Sequence, residues 1–158
     1  MEYIIEKANL KDKNKILKLY KSLIGQYGCT WDNEYPNSKI VEQDILREEL
    51  FCLKDYKKIM AVATLTKEKE IEKRINHSLD PYLLTRVAVS KKYQGNGYSK
   101  ILLYQIFEMA KKRKIDLIYL LVNKENKIAI NLYKKFKFKF SENVKLYGIE
   151  WKLLEKRL

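Results

Sequence analysis

The stretch RVAVSKKYQGNGYSKILL, residues 86–103, joins an alternating apolar run to a second apolar run with helical spacing. Gly95 and Gly97 lie between the two runs. The first backbone N–H groups of a helix have no partner within the helix, and the helix dipole adds partial positive charge there. Glycine beside such an entrance lets an anion approach the backbone without meeting a side chain. We therefore interpret this junction as a candidate anion-binding loop.

Two known anion-binding loops do not match this junction. A dinucleotide-binding fingerprint requires a third glycine where Lys100 stands and an acid where Asn123 stands. The phosphate loop GxxxxGK[ST] is absent. From Ser90 to Ile115 the chain has seven basic residues and one acid, Glu108, which favours an anionic ligand. A plain strand-to-helix turn would explain two glycines alone, so a second motif has to decide.

Composition limits the class of protein. The 158 residues suit a single domain, 1–158, with a net charge of +13. Only 5 of the 33 basic residues are arginine, the side chain that nucleic-acid recognition prefers, so we expect a solvated lysine surface and no nucleic-acid partner. The longest apolar run, Leu117 to Val122, is too short to span a membrane, and no secretory signal is expected.

Cysteine and histidine suggest no metal centre. Cys29 and Cys52 indicate no disulfide framework, which favours a cytoplasmic location. The single histidine, His77, is expected to be solvated, and one histidine with two cysteines gives no metal-ligand spacing. We predict no bound metal.

Hydrophobic periodicity predicts an α+β domain in which helices flank one mixed central sheet. The run KEKEIEKR, residues 67–74, is expected to be a solvated turn or strand edge. The predicted elements are a strand at EYIIEKA, a helix from Lys11 to Gly25, a helix from Ser38 to Leu50 with Ser38 as N-cap, a hairpin turning near Asp55 to Lys58, a strand at 82–89, a helix from Tyr98 to Arg113, a buried strand at 116–122, a helix from Lys127 to Lys135, and two strands in the tail.

Two motifs together resemble the GCN5-related N-acetyltransferase (GNAT) family. QGNGYS, Gln94 to Ser99, is similar to the acyl-CoA loop Q/R-x-x-G-x-G/A, with Ser99 where the family prefers Gly or Ala. LLVNKENKIAINLYKKFKF, residues 120–138, resembles the second cofactor segment, with Lys137 in place of a usual glycine. WDNEYPN, residues 31–37, looks like the family's acceptor loop. Each motif alone is weak, but the pair is specific.

The resemblance implies an acetyl-CoA-dependent N-acetyltransferase in which an amine attacks the thioester directly. Strand 82–89 would offer backbone groups to the pantetheine arm and to the oxyanion, and the strand at 116–122 would splay away to leave a slot. The backbone from Gly95 to Lys100 would hold the pyrophosphate. The implied coenzyme A-binding residues are Val87, Ala88, Val89, Gln94, Gly95, Asn96, Gly97, Tyr98, Ser99, Lys100, Asn126 and Tyr133.

Tyr133 is the predicted catalytic acid that protonates the departing thiolate, although a tyrosine packed in the core is a competing interpretation. Glu68 and Glu70 are possible bases acting through water, and none is assigned.

The acceptor is expected to be a small-molecule or peptide amine. Residues 31–50 carry six acids and two bases, a net charge of −4, so the remaining chain carries +17. A solvated acidic helix face would explain part of this asymmetry. The predicted substrate-binding residues are Trp31, Asp32, Glu34 and Tyr35, where cation–π contact and ion pairing would favour a cationic amine.

Two alternatives remain open at this stage: a basic nucleic-acid-binding module, and a catalytically silent acyl-CoA sensor of the same fold. The chain is expected to be a monomer or a homodimer that does not bind membranes.

Overall fold

Seven strands form one mixed sheet in the computed structural model, which describes residues 2–73 and 80–158. The strands are β1 (Ile4–Lys7), β2 (Leu50–Asp55), β3 (Lys58–Thr66), β4 (Pro81–Val89), β5 (Leu117–Asn123), β6 (Lys139–Leu146) and β7 (Ile149–Arg157). Their order across the sheet is β1-β2-β3-β4-β5-β7-β6. The neighbours β4 and β5 run parallel, and every other neighbouring pair is antiparallel. The predicted α+β class with a mixed sheet is confirmed.

Helices cover both faces of the sheet because its central strands are apolar on both sides. In β2, Leu50 and Cys52 belong to one buried cluster, whereas Phe51 and Leu53 belong to another. No helix in the described part of the chain is long and apolar enough to cross a membrane. The helices are α1 (Lys13–Ser22), α2 (Ser38–Leu46), α3 (Lys69–Glu72), α4 (Tyr98–Lys112) and α5 (Lys127–Lys135), with short 3₁₀ turns at Leu10–Asp12 and Lys91–Tyr93.

The second helix is shorter than the sequence predicts. Its N-cap is Asn37, not Ser38, because the Asn37 side chain accepts a hydrogen bond from the Ile40 N–H at 3.0 Å. The helix ends at Leu46, and Glu48 has a left-handed backbone with φ of 58°. Leu50, the predicted last residue of the helix, begins β2 instead.

The charged run also differs from the prediction of a turn or strand edge. Lys69–Glu72 forms the one-turn helix α3, and the Glu68 side chain accepts a hydrogen bond from the Glu70 N–H at its start. Arg74 and His77 lie outside the described residues, so the prediction that His77 is solvated stays a prediction.

The elements around the predicted cofactor site are close to expectation. Helix α5 has the predicted bounds, and α4 ends one residue earlier than predicted. Residues 117–120 of β5 are all buried, as expected for a strand covered on both faces. Lys137, where the family has glycine, has φ of 71°, so this position keeps the backbone conformation that glycine adopts most easily.

Candidate active site

A slot opens between β4 and β5 because the two strands pair at one end only. The paired residues are Pro81 with Leu117, Tyr82 with Ile118 and Leu83 with Tyr119. Beyond Leu83, β4 pairs with β3 alone, and beyond Tyr119, β5 pairs with β7 alone. The predicted splaying of the strands is therefore present, and it leaves one backbone edge of β4 without a sheet partner.

The backbone of Val89 faces this slot. The Ser90 N–H donates to the Met60 carbonyl of β3 at 2.9 Å. Backbone groups of successive strand residues point to opposite edges, so the N–H and C=O of Val89 point away from β3. The Val89 carbonyl already accepts a hydrogen bond from Gln94 Nε2 at 3.0 Å. Gln94 thus fastens the glycine loop to the end of the strand.

A β-bulge interrupts β4 beside the slot. Ala88 pairs with Val62, but Thr85 pairs with Thr64, so Arg86 and Val87 together face the single residue Ala63. Val87 is half-buried against the apolar core. The bulge makes the β4 ladder irregular at Val87, one of the predicted cofactor-contact residues.

The glycine loop has an open surface at the start of α4. Gly95 and Gly97 each have φ of 79°, and apart from their chain neighbours no atom of residues 2–73 and 80–158 lies within 4 Å of where their β-carbons would project. Gly97 is the N-cap of α4 and has no side chain that could cap the N–H groups of the first turn. The exposed lysines Lys91, Lys92 and Lys100 flank the loop. This geometry fits a pyrophosphate, which needs donors, positive charge and room.

Asn96 and Ser99 are two other predicted cofactor-contact residues in this region. The Asn96 side chain donates to the carbonyls of Tyr93 at 3.3 Å and Gln94 at 3.0 Å. Ser99 is half-buried in the first turn of α4.

The predicted cofactor face of α5 is present on the helix. Ile130 and Tyr133 are buried, and Ala129 packs against the same core. Asn126 is the N-cap, and its Oδ1 accepts from the Ala129 N–H at 3.1 Å. Its Nδ2 lies 3.5 Å from the Gly28 carbonyl, which accepts a long hydrogen bond. The Asn126 side chain therefore has structural roles whether or not it also contacts a cofactor.

Tyr133 is packed in the core yet retains 8% exposure. Its ring meets Phe138 edge-on, with ring centroids 5.6 Å apart. Burial raises the pKa of Tyr133 to about 12, so its hydroxyl is protonated at neutral pH. A protonated hydroxyl is what the predicted role as an acid requires.

The loop between α1 and α2, residues 23–37, reaches both walls of the slot. Gln26 exchanges hydrogen bonds with the Gln94 side chain at 3.0 and 3.2 Å. On the other wall, the Tyr27 hydroxyl donates to the Glu125 carbonyl at 2.5 Å. We call residues 23–37 the α1–α2 loop.

The four predicted acceptor residues lie in this loop, and each has its own contacts there. Trp31 packs edge-on against buried Tyr20, with ring centroids 5.0 Å apart. Asp32 Oδ1 accepts the N–H groups of Glu34 at 2.8 Å and of Tyr35 at 3.0 Å, so this carboxylate also shapes the loop. Glu34 is exposed, and Tyr35 is 41% exposed.

Arg86 and Asp44 form a contact that no sequence motif predicts. The two side chains form a buried ion pair, with Arg86 Nε 2.8 Å and Nη2 3.0 Å from the two carboxylate oxygens of Asp44. The available signal was an arginine inside the apolar strand PYLLTRVAVS, because a charge there requires a buried partner.

Glu68 and Glu70, the two possible bases, both have contacts within the charged run. Glu68 caps α3, and exposed Glu70 lies 3.3 Å from Lys73. Within residues 2–73 and 80–158, no cluster of three His, Cys, Asp or Glu side chains is placed to hold a metal ion.

Comparison with known proteins decides the family. The family model described as "Acetyltransferase (GNAT) family" matches residues 16–138, more than three quarters of the chain. The chain belongs to the GNAT family. It is therefore an acyltransferase of the N-acetyltransferase class, a family whose acyl donor is acetyl-CoA.

Solved structures share this fold at low sequence identity. The PaiA N-acetyltransferase of Thermoplasma acidophilum, solved with coenzyme A, is 18% identical with a TM-score of 0.77 and covers all of both chains. The YncA protein of Salmonella typhimurium, solved with acetyl-CoA, is 14% identical with a TM-score of 0.77, covering 99% of this chain and 94% of its own. The ribosomal-protein-S18-alanine N-acetyltransferase of Escherichia coli is 20% identical with a TM-score of 0.76, with the same coverages. No curated protein sequence matches the chain.

Proposed function

We propose that this GNAT protein transfers an acetyl group from acetyl-CoA to a primary amine by direct attack within a ternary complex. The observation that carries the proposal is the coincidence of two features at one end of the sheet. The strands β4 and β5 separate beyond Leu83 and Tyr119, and the open glycine loop begins where β4 ends. A strand edge and a helix entrance side by side suit a ligand that is amide-bearing at one end and anionic at the other.

The chain's own residues would hold acetyl-CoA as follows. The backbone of Val87 and Val89 would bind the pantetheine amides, and the N–H groups from Gly95 to Lys100 would bind the pyrophosphate. When bound, acetyl-CoA supplies the thioester carbonyl that the neutral form of the amine attacks; the C–N bond forms, the C–S bond breaks, and the nitrogen releases its proton to solvent. Donors at the β4 bulge would stabilise negative charge on the carbonyl oxygen, and the Tyr133 hydroxyl would hold the proton that the departing sulfur needs.

Among residues 2–73 and 80–158, no ion pair is found for Asp32 or Glu34 of the α1–α2 loop, which favours a cationic acceptor. Glu42 and Glu48 pair with Lys13 and Lys7 at 3.6 and 3.9 Å, and Asp44 pairs with Arg86. These pairs account for much of the acidic block. Asp32 and Glu34 remain beside Trp31 and Tyr35, where carboxylates and aromatic faces can attract an ammonium group. The S18-alanine N-acetyltransferase relative makes a peptide amine one candidate, beside polyamines and amino sugars.

A panel of amines, assayed by release of free thiol from acetyl-CoA, tests this function. Cationic amines should turn over best, and Asp32→Asn with Glu34→Gln should raise the acceptor KM. The Asp32→Asn substitution keeps a side-chain oxygen for the N–H groups of Glu34 and Tyr35, so it removes charge while preserving the turn. Glu108→Gln, on α4, is the control for loss of one surface acid. Best turnover of neutral or anionic amines, or an unchanged acceptor KM in the double variant, would contradict the cationic acceptor.

The same panel separates catalysis from silent binding. If the chain binds acetyl-CoA but turns over no amine, it is an acyl-CoA sensor. A separate measurement of binding to a nucleic-acid duplex tests the nucleic-acid module, which predicts salt-sensitive binding that coenzyme A does not change.

A further inference from the structure

Arg86 has a backbone conformation that the surrounding structure must hold in place. Its φ is 49°, in the left-handed region that side chains other than glycine rarely adopt. It shares the β4 bulge with Val87, opposite the single residue Ala63. Strained residues of this kind persist only where other contacts fix them.

The Arg86 guanidinium supplies those contacts. Nε and Nη2 bind both oxygens of Asp44, which is only 3% exposed and projects from α2. Asp44 Oδ2 also accepts a hydrogen bond from Thr64 Oγ1 of β3 at 3.1 Å. Burial alone would lower the pKa of Arg86, but the hydrogen bonds that Arg86 donates to Asp44 and the nearby Tyr35 and Asp44 oxygens outweigh it, so the pKa lies above its usual value. The fork-shaped pairing fastens the bulge to α2 and β3.

A third arm of the same guanidinium reaches the α1–α2 loop. Arg86 Nη1 donates to the Tyr35 hydroxyl at 2.9 Å. The first part of the loop contacts Gln94 and Asn126, through Gln26 and Gly28. Tyr35 anchors the loop near its other end. One side chain therefore joins the loop that carries the acceptor residues to the strand that carries Val87.

We propose that Arg86 is a positioning residue that fixes the Val87 backbone and the α1–α2 loop in one arrangement, through Asp44 and Tyr35. This role rests on the proposed function only for its effect on turnover, since the coupling itself is a property of the free chain. Lysine cannot replace the residue, because an ammonium group cannot bind two carboxylate oxygens and a phenol in the planar fork geometry.

Amide hydrogen exchange on the free protein tests the coupling without any ligand. Arg86→Lys should speed exchange in peptides covering both 30–37 and 84–90, whereas Tyr35→Phe should speed exchange only in 30–37. Arg47→Lys, on the exposed end of α2, is the control for an arginine-to-lysine change. Exchange in Arg86→Lys that matches the control in both segments would overturn the proposal. If Arg86→Lys does not fold, Tyr35→Phe and Asp44→Asn carry the same test, and unchanged exchange in both variants would overturn it.

Kinetics and calorimetry then separate positioning from mere stability. At a temperature where each variant is folded, Arg86→Lys should lower kcat at least tenfold and weaken acetyl-CoA binding by a smaller factor, because Val89 and the glycine loop would still hold the cofactor. Tyr35→Phe should mainly raise the acceptor KM. Equal loss of kcat and acetyl-CoA affinity in Arg86→Lys would contradict the positioning role. Failure of the unmodified protein to bind acetyl-CoA would instead contradict the proposed function. The hydrogen-exchange measurement would still test whether Arg86 couples the Val87 backbone to the α1–α2 loop.

Discussion

A β-carbon on Gly28 would lie 2.6 Å from Cγ and from Nδ2 of Asn126. No side chain fits this space while Asn126 caps α5. The absence of a side chain at residue 28 therefore lets the α1–α2 loop lie directly on the start of α5. Residue 28 belongs to the loop with the acceptor residues, and residue 126 belongs to the predicted cofactor segment, so this contact joins the two halves of the site.

Gly28→Ala should displace Asn126 or lift the loop. We expect the substitution to cost about 1–2 kcal/mol through its positive φ and about 1 kcal/mol more through the disturbed cap. Gly25→Ala is the matched control, since Gly25 has φ of 86° but nothing within 4 Å of its β-carbon position. Denaturant unfolding measures both. Equal destabilisation of the two variants would show that the Asn126 contact is unimportant.

Gly97→Val should abolish acetyl-CoA binding while the protein remains folded. The valine side chain would occupy the open surface where the phosphates are expected, and its branched carbon disfavours φ of 79°. Gly148→Val, in the turn between β6 and β7 with φ of 73°, carries a similar backbone penalty outside the glycine loop. Calorimetry should find binding lost in the first variant and kept in the second. Unfolding of Gly97→Val alone would mean that Gly97 is a structural turn residue.

Tyr133→Phe should lower kcat about a hundredfold or more, with little change in acetyl-CoA affinity. The ring can still pack against Phe138, so the variant removes the proton donor and keeps the core contact. Steady-state kinetics and calorimetry together check this split. A kcat equal to that of the unmodified protein would remove Tyr133 from the mechanism and leave it as a core residue.

Alkaline pH should destabilise the fold through Cys52. Burial, assisted by the negative charge of Asp12, raises the pKa of Cys52 to about 12 from its ordinary value of 9.0. The native state then keeps its proton where the unfolded state loses it. This contribution to stability is complete below pH 9 and is lost as the pH rises toward 12, at roughly 1.4 kcal/mol per pH unit.

Denaturant unfolding between pH 8 and pH 10.5 tests this prediction. Cys52→Ala should lose less stability above pH 9 than the unmodified chain, whatever its stability at pH 8. Cys29→Ala, at a half-buried cysteine, is the control. Parallel pH profiles for the unmodified chain and Cys52→Ala would contradict the expected role of the thiol.

The elements that position the slot could be predicted because their signals are local. The alternation of residues 82–89, the glycines of QGNGYS and the helical face of Asn126 to Tyr133 each lie within a few positions of one another. Helix α5 follows from these patterns with the predicted bounds, whereas the separation of β4 and β5 was expected only from the family resemblance. The predicted bounds of α2 were less accurate. Asn37 takes the N-cap position that was predicted for Ser38, and the left-handed backbone of Glu48 follows the end of the helix at Leu46.

The remaining features depend on contacts between distant positions. Tyr35, Asp44 and Arg86 meet through hydrogen bonds that span 42 and 51 residues, and Gly28 meets Asn126 across 98. Contacts between such distant residues leave no periodic pattern in the sequence. The left-handed backbone of Arg86 is equally hidden, because propensity assigns an arginine in an apolar strand a regular extended conformation. Helix α3 is a single turn, shorter than any segment that periodicity can identify.

Isothermal titration calorimetry with acetyl-CoA is the most direct test of the central claim that the slot and glycine loop bind this acyl donor. We predict saturable binding with one site per chain, no heat with NAD under the same conditions, and a melting temperature that rises with acetyl-CoA concentration because the ligand binds only the folded chain. Absence of heat with acetyl-CoA at millimolar concentration, from protein shown to be folded, would contradict the account.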